Sequence, residues 1–176
     1  MKIMMYGTPL SGQTTSLVQI VEHAKEHYRV GDDFYSFFWP SKDCLEEVTV
    51  YKGFYSRRAF LNFLGNGIDV DGVDEVLPSI EGCLFVVDSQ RLRHDWNMST
   101  FSKLCDVLHR NGKDPETFPV VFLFNKRELP DLLEPEVLKR ELQWPRSAYF
   151  ETIAINGTGV IEAMHTLVKM IDGSED

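Results

Sequence analysis

The sequence has few cysteines, and neither its cysteines nor its histidines follow a metal-binding pattern. Cys44, Cys83 and Cys105 are widely spaced and form no C-x-x-C pair. His23 and His27 stand four residues apart but lack the glutamate of an H-E-x-x-H zinc motif, so we interpret them as part of a solvated helix face. We therefore expect no disulfide framework, and we interpret the cysteines as reduced thiols.

The chain also lacks an excess of positive charge and any long apolar run. Its net charge of −9 at pH 7 argues against nucleic acid and anionic membrane surfaces as partners. No apolar run approaches the length of a membrane span, and Ile3–Tyr6 is too short for the core of a signal peptide. These absences predict a cytoplasmic protein without a membrane span.

What is present fits one globular domain over residues 1–176. This length is typical of a single domain and allows a sizeable hydrophobic core. The hydrophobic fraction of 43% and the charged fraction of 26% are ordinary for such a domain. We find no internal repeat and no low-complexity segment.

Apolar runs alternate with helical patterns along the chain. Continuous runs of β-forming residues are typical of strands covered on both faces, and apolar residues three and four apart predict amphipathic helices. The predicted strands are Lys2–Tyr6, Val48–Lys52, Arg58–Leu64, Cys83–Val87, Val120–Phe124 and Tyr149–Ile155. The predicted helices are Gly12–His27, Asp71–Ile80, Asp95–His109, Glu134–Leu142 and Gly159–Ile171. This alternation predicts an α/β fold with a mostly parallel central sheet and helices on both faces.

A glycine-rich loop between the first strand and the first helix organises the sequence. Gly7–Thr15 has the spacing of the phosphate-binding loop G-x-x-x-x-G-K-[ST], with Gln13 in place of the lysine. Gly7 and Gly12 let the backbone approach a phosphate, and N–H groups at the helix N-terminus converge on it. Glutamine offers only a neutral donor, so the cradle keeps its backbone and loses its charge. Two other interpretations remain, a loop that merely joins strand to helix and Gln13 as a structural cap.

A second motif, Asn125–Glu128, directly follows an apolar strand pattern. In GTPases a strand followed by N-K-x-D selects guanine, because the aspartate accepts two hydrogen bonds that adenine cannot donate, while the lysine stem covers the base. Glu128 replaces that aspartate and displaces the carboxylate by one methylene, at an expected cost of about 1–2 kcal/mol. A solvated loop of mixed charge would look the same, but the position after a strand strengthens the motif.

With Glu151–Gly157 as a third loop in order, the chain resembles the small Ras-like GTPases and, among them, the bacterial gliding-motility (MglA-type) proteins. The matching segments are Lys2–Gly7, Ser11–Thr15, Val86–Gln90, Asn125–Pro130 and Gly157–Val160. The resemblance covers nearly the whole chain and is weakest over residues 32–47. It implies a Ras-like P-loop fold that binds GDP or GTP with Mg²⁺, here with weakened affinity.

The resemblance also implies which residues contact the nucleotide. Thr14 would hold Mg²⁺, and the backbone N–H of Ala154 would reach the guanine O6. The implied nucleotide-binding residues are Gly7, Ser11, Gly12, Gln13, Thr14, Thr15, Gly65, Asn125, Lys126, Glu128 and Ala154.

The two switch segments depart from the family pattern. The first switch carries an arginine and a threonine just before an aromatic run ending in proline, and these positions hold Asp32 and Asp33. Two carboxylates there would repel phosphate, although Asp33 is able to touch a metal and a solvated loop is the simplest interpretation. In the second switch Gly65 keeps the glycine that senses the γ-phosphate, and Asn66 replaces the glutamine that positions the attacking water.

These departures predict a pseudo-GTPase or very weak GTPase that acts as a protein-interaction module in motility or polarity, monomeric when free. The partners implied are a roadblock-type regulator or a response-regulator-like polarity protein, and some aromatics of Phe34–Trp39 are a candidate partner surface rather than core. The main alternative is a guanine-nucleotide switch that hydrolyses GTP slowly with help from a partner. An adenine-nucleotide kinase is disfavoured by the N-K-x-E motif.

Overall fold

Seven strands form one sheet in the computed structural model of the chain, which describes residues 2–27, 35–40, 45–51, 54–60 and 77–173. The strands are β1 Lys2–Gly7, β2 Tyr35–Pro40, β3 Leu45–Tyr51, β4 Phe54–Phe60, β5 Gly82–Asp88, β6 Val120–Asn125 and β7 Ser147–Glu151. Their order across the sheet is β4-β3-β2-β1-β5-β6-β7. The run from β2 to β7 through β1 is parallel, whereas β3 is antiparallel to both of its neighbours.

Helices cover both faces of this sheet. The α-helices of the described residues are α1 Gln13–His27, α2 His94–Arg110, α3 Pro135–Glu141 and α4 Val160–Asp172. Side chains are described for residues 2–23 and 78–173, and they form two cores. One core joins α1 and α4 to one face of the sheet, and the other joins α2 and α3 to the opposite face. The predicted α/β class, a Ras-like fold with a mostly parallel sheet between helices, is confirmed.

Burial on both faces explains why the sequences of the central strands are continuously apolar. Every residue of β5 and β6 is buried, because alternate side chains face helices on opposite sides. Phe85 and Phe122 point toward α2, where both meet Phe101 edge to face with ring centroids 5.6 and 5.4 Å apart. Leu84 and Val121 belong to the core on the other face.

The antiparallel edge of the sheet differs from the prediction. The aromatic segment at Tyr35–Pro40, for which no element is predicted, forms β2 beside β1. The strand predicted over Arg58–Leu64 begins at Phe54 instead, because Tyr51 pairs with Phe54 and the hairpin therefore closes across only two residues. The side chains of this edge lie outside the described part of the chain, so the predicted partner surface of aromatic residues stays a prediction.

The last strand and the predicted third helix also need correction. β7 runs over Ser147–Glu151 and stops short of the predicted end at Ile155, because the N–H of Thr152 makes the last bond to β6 and Ile153 pairs instead with Thr158 across a turn. Of the predicted helix Asp71–Ile80, residues 71–76 lie outside the described part, and the rest begins with a short 3₁₀ turn. The other helices match their predicted positions within one or two residues.

The two described cysteines are free thiols. Burial raises the pKa of Cys83 well above its usual range, and burial together with the charge of Asp106 raises the pKa of Cys105 to about 11. Both thiols therefore stay protonated at neutral pH. Within the described ranges, no helix has the length and apolar character needed to cross a membrane.

Candidate functional site

The carboxyl ends of four parallel strands place the predicted motifs at one edge of the sheet. Gly7 ends β1 beside Val86 of β5, and Asp88 at the end of β5 pairs with Asn125 at the end of β6. Glu151 ends β7 beside the same strand. The loops that follow these strands therefore meet, as expected for a ligand site in an open α/β sheet.

Both glycines of the phosphate-binding motif have conformations and surroundings that favour glycine. Gly7 has φ +155° and Gly12 has φ +107°. A Cβ on Gly7 would overlap the carbonyl of Val86, and a Cβ on Gly12 would overlap the side-chain amide of Asn125. The backbone of the loop therefore packs directly against the neighbouring strand ends. Such close packing of glycines lets successive N–H groups surround an anion.

The start of α1 presents unpaired backbone donors. The N–H groups of Gly12, Gln13, Thr14 and Thr15 donate to no acceptor within the described ranges, and the intrahelical ladder begins with the N–H of Ser16 on the carbonyl of Gly12 at 2.8 Å. Such donors at a helix N-terminus attract a phosphate. The side chain of Thr14 is exposed at the same place, where its hydroxyl is open to a ligand.

Gln13 folds back onto its own loop. Its Nε2 donates a hydrogen bond of 3.0 Å to the carbonyl oxygen of Gly7, across the width of the loop. In this arrangement the side-chain amide acts as the structural cap that the sequence leaves open. The contact holds the loop closed and brings no positive charge to it.

Asn125 ties the three loops of the site together. Its Nδ2 donates to the carbonyl of Ser11 at 2.7 Å, and its Oδ1 accepts the N–H of Ala154 at 2.9 Å and the hydroxyl of Thr152 at 3.3 Å. The side chain is buried, so these bonds are shielded from water. The N–H of Ala154, which we predict to reach the guanine, is thus engaged by Asn125 and would have to leave Oδ1 to donate to a base.

Lys126 and Glu128 differ in their surroundings. Lys126 has a left-handed backbone with φ +67°, and its Nζ lies 2.7 Å from Oδ2 of Asp88. Glu128 is exposed and pairs with no charged or hydrogen-bonding group in the described part of the chain. Its carboxylate is therefore open to a ligand. Guanine recognition requires such an accessible carboxylate at this position of the motif.

Arg127, the variable residue of the N-K-x-E motif, bonds to neighbouring loops and to β7. Its Nε lies 2.8 Å from Oε2 of Glu151, and its Nη1 donates to the carbonyl of Leu133 at 2.9 Å. Its N–H also donates to the carbonyl of Thr152 at 3.3 Å. The variable position of the N-K-x-E motif thus supports the loop rather than facing the ligand.

Sequence reasoning does not find two residues that the structure places beneath the site. Asn97 on α2 is fully buried; its Nδ2 donates to the carbonyl of Asp88 at 2.7 Å, and its Oδ1 accepts the hydroxyl of Thr8 at 3.3 Å. Asp88 lies in the matching segment Val86–Gln90 but is not among the residues implied to contact the nucleotide. The signal available was a polar residue, Asn97, within an otherwise apolar helical stripe.

Four of the predicted residues cannot be placed. Asp32, Asp33, Gly65 and Asn66 lie outside the described residues, and their roles in the two switches stay predictions. The structure brings together the remaining residues of the predicted nucleotide site at one edge of the sheet.

These residues fit a guanine nucleotide with two exceptions. The close-packed glycines and the free N–H groups suit the phosphates, and Asn125, Lys126 and Glu128 suit the base. The exceptions are the missing positive charge at Gln13 and the N–H of Ala154, which donates to Asn125. When bound, GTP would supply the phosphoanhydride bond and Mg²⁺ would offset its charge, with Thr14 as the described residue suited to hold the metal.

Comparison with known proteins finds a relative along nearly the whole chain. No model of a protein family matches the sequence. The chain is similar to the mutual gliding-motility protein MglA of Myxococcus xanthus (strain DK1622), with 27% identity over 177 residues. The match covers 97% of this chain and 89% of that protein, so it includes nearly the whole domain.

Proposed function

Proceeding from the resemblance to small Ras-like GTPases of the MglA type, which the similarity to MglA confirms, we propose that this chain is a degenerate member of that group. It forms one domain over residues 1–176 that keeps a weakened guanine-nucleotide site and has lost efficient GTP hydrolysis. It acts as a protein-interaction module and is at most a very weak GTPase.

The observation that carries the proposal is the contact made by Gln13. Its amide donates to the carbonyl of Gly7 and adds no charge where a lysine would meet the β- and γ-phosphates. A neutral donor stabilises a developing phosphate charge much less than an ammonium group does. Ground-state binding and transition-state stabilisation both weaken as a result.

The base end of the site supports continued nucleotide binding. Asn125 keeps hydrogen bonds to the phosphate loop and to the loop of Ala154, so both loops stay in register without a ligand. The open carboxylate of Glu128 retains the chemistry that selects guanine over adenine. The protein therefore binds guanine nucleotides selectively but weakly.

The cellular role follows from the relative. MglA is named for gliding motility, and we propose a role in bacterial motility or polarity for this chain. Its partners in this proposal are protein regulators, either a roadblock-type protein or a response-regulator-like polarity protein. The protein acts in the cytoplasm and is monomeric when free.

Restoring the lysine tests the proposal. Gln13→Lys is expected to raise the affinity for GTP at least about tenfold, because a charged hydrogen bond contributes roughly 1.5–3 kcal/mol. The measurement is a titration of fluorescent GTP into nucleotide-stripped protein, with single-turnover hydrolysis followed on the same samples. Gln143→Lys is the matched control, since it makes the same charge change at an exposed position that precedes β7 at the other edge of the sheet.

Two results would contradict the proposal. One is GTP hydrolysis by the wild-type protein at the rate usual for small GTPases. The other is an equal gain in affinity from Gln13→Lys and Gln143→Lys, which would mean that the phosphate loop does not meet the nucleotide.

A second candidate function is a working guanine-nucleotide switch whose missing groups come from a partner. The free N–H groups of residues 12–15 and the open hydroxyl of Thr14 favour it, because the backbone cradle is complete. This alternative predicts tight, Mg²⁺-dependent binding of both GDP and GTP by the wild-type protein. Titration with and without Mg²⁺ separates the two functions.

A further inference from the structure

We infer that Asp88 is a positioning residue that holds Lys126, the lysine of the base-binding motif, in the orientation that its role requires. The inference rests on the proposed guanine-nucleotide site, because Lys126 meets a ligand only there. Asp88 ends β5 in register with Asn125, which ends β6. Lys126 is the next residue, so the two side chains leave adjacent strands at the same edge of the sheet.

The carboxylate of Asp88 is buried and fully engaged. Its side chain is 1% exposed, and Oδ2 lies 2.7 Å from Nζ of Lys126 and 3.7 Å from Nε of Arg93. Its Oδ1 accepts the N–H of Gln90 at 3.1 Å. A buried carboxylate is stable only with such partners, and Lys126 is the closer of its two cations.

This contact fixes the side chain of Lys126 at both ends. Its backbone is in the left-handed region, which is unfavourable for a residue with a Cβ, and its ammonium is bonded to Asp88. The stem between these two points is the part of the lysine that would cover a base. Within the described ranges Glu128 makes no ion pair, so Asp88 supplies the anionic contact of Lys126.

Asp88 is itself held rigidly by α2. Asn97 donates Nδ2 to the carbonyl of Asp88 at 2.7 Å and accepts the N–H of Asp88 at 3.3 Å. The same amide oxygen accepts the hydroxyl of Thr8 in the phosphate loop at 3.3 Å. The following residue, Ser89, donates its N–H to the carbonyl of Asn125 at 3.1 Å. Asp88, which bonds to Lys126, is therefore held in one position by the surrounding fold.

A double-mutant cycle on Asp88 and Lys126 tests the inference. Asp88→Asn keeps the shape of the side chain and removes its charge, and Lys126→Met keeps the stem and removes the ammonium. In the wild-type background Asp88→Asn is expected to weaken GDP binding about tenfold. In the Lys126→Met background the same change is expected to have an effect of less than about twofold, since the group it positions is gone. Asp106→Asn, an equal charge change at an exposed position of α2, is the control.

The outcomes separate a positioning role from a structural one. If Asp88→Asn weakens binding equally in both backgrounds, Asp88 acts through the fold alone and the inference is wrong. The same four proteins are also unfolded in urea without nucleotide, where the pairing predicts midpoints that are not additive. If the wild-type protein binds no GDP, the proposed function fails, and the urea cycle alone then decides whether Asp88 holds Lys126; additive midpoints would overturn that contact.

A measurement on the wild-type protein covers the case in which Asp88→Asn does not fold. The ammonium of Lys126 is expected to give a ¹⁵N resonance observable at neutral pH, because its contact with the buried carboxylate slows proton exchange. Loss of that resonance in Lys126→Met assigns it. A wild-type spectrum without such a resonance would contradict the inference.

Discussion

The proposed phosphate end and base end of the site are built from equally well-packed loops, but among the described residues only the base end has the charged side chains of its motif, Lys126 and Glu128. At the phosphate end, Gly7 and Gly12 pack closely against neighbouring residues. Gln13, which occupies the position of the motif's lysine, donates a hydrogen bond to its own loop. At the base end, Asn125 and Lys126 are both present and both bonded to buried partners. The two ends therefore differ in electrostatics and share the same quality of packing.

This difference separates residues that support the fold from residues whose proposed role is only to meet a ligand. Asn125 belongs to the base site, yet its strongest bonds support the phosphate loop and the loop of Ala154. Replacing such a residue costs stability whether or not nucleotide binds. Among the described residues, the side chain of Gln13 bonds only to Gly7, so we expect a lysine at this position to leave the rest of the loop intact.

Asn125→Ala is expected to have the largest effect on stability. It orphans the buried carbonyl of Ser11 and the N–H of Ala154, and it should cost roughly 2–4 kcal/mol of unfolding free energy. Urea unfolding of the nucleotide-free protein measures it. Asn156→Ala, which removes exposed hydrogen bonds from Thr158 in a turn, is the control and should change stability by less than about 1 kcal/mol. Equal effects of the two substitutions would mean that the hydrogen bonds of Asn125 do not hold the loops of the site together.

Gly12→Ala tests the packing between the two ends. The added Cβ would overlap the amide of Asn125 and strain a backbone with φ +107°, for an expected loss of about 2–3 kcal/mol. Gly112→Ala is the matched control, because its φ of +66° is also positive but its Cβ would meet no atom within 4 Å. That control should lose only about 1–2 kcal/mol. Thermal unfolding of both variants measures the difference, and equal losses would mean that the loop does not pack against Asn125.

Glu128→Asp sharpens the contrast from the base side. Shortening the side chain by one methylene restores the guanine-reading geometry and should improve GDP affinity about 5- to 30-fold, the equivalent of roughly 1–2 kcal/mol. ADP affinity should not change. The measurement is a competition titration with both nucleotides. A parallel gain for ADP would show that Glu128 does not read the base.

Glu151→Gln, which removes the ion pair with Arg127 and leaves the bond from Arg127 to Leu133, is expected to give the smallest effect. Glu151 is 56% exposed, so the ion pair should contribute only about 0.2–1 kcal/mol. Urea unfolding at low and high salt checks this value, and the difference between wild type and variant should shrink at high salt. A salt-independent loss of several kcal/mol would make this ion pair a principal support of the base loop.

The centre of the fold was predictable because each of its strands carries its own signal. The runs at β1, β5 and β6 are apolar throughout, and this pattern follows directly from burial on both faces. The glycine-rich loop and the N-K-x-E motif follow two of these strands, so the meeting of Gly12 with Asn125 follows from parallel topology. The meeting of these two loops at one edge of the sheet was therefore predictable from local patterns.

The remaining features depend on contacts that no local pattern encodes. The start of β4 at Phe54 is set by its register with Tyr51 across a short turn, rather than by the hydrophobicity of the later residues. The contact between Asn97 and Asp88 joins residues of α2 and β5 only once the helix has packed on the sheet. A single asparagine in a helical stripe gives no indication of which partner it will meet.

The most direct test of the account is a competition titration of GMP, GDP, GTP and ATP against a fluorescent guanine nucleotide bound to the nucleotide-stripped protein. The account predicts guanine-selective binding that gains little from each added phosphate, because Gln13 brings no charge to them. ATP should compete poorly. Submicromolar, Mg²⁺-dependent binding, with an affinity that increases steeply from GMP to GTP, would contradict the account. It would favour the alternative function, a working guanine-nucleotide switch.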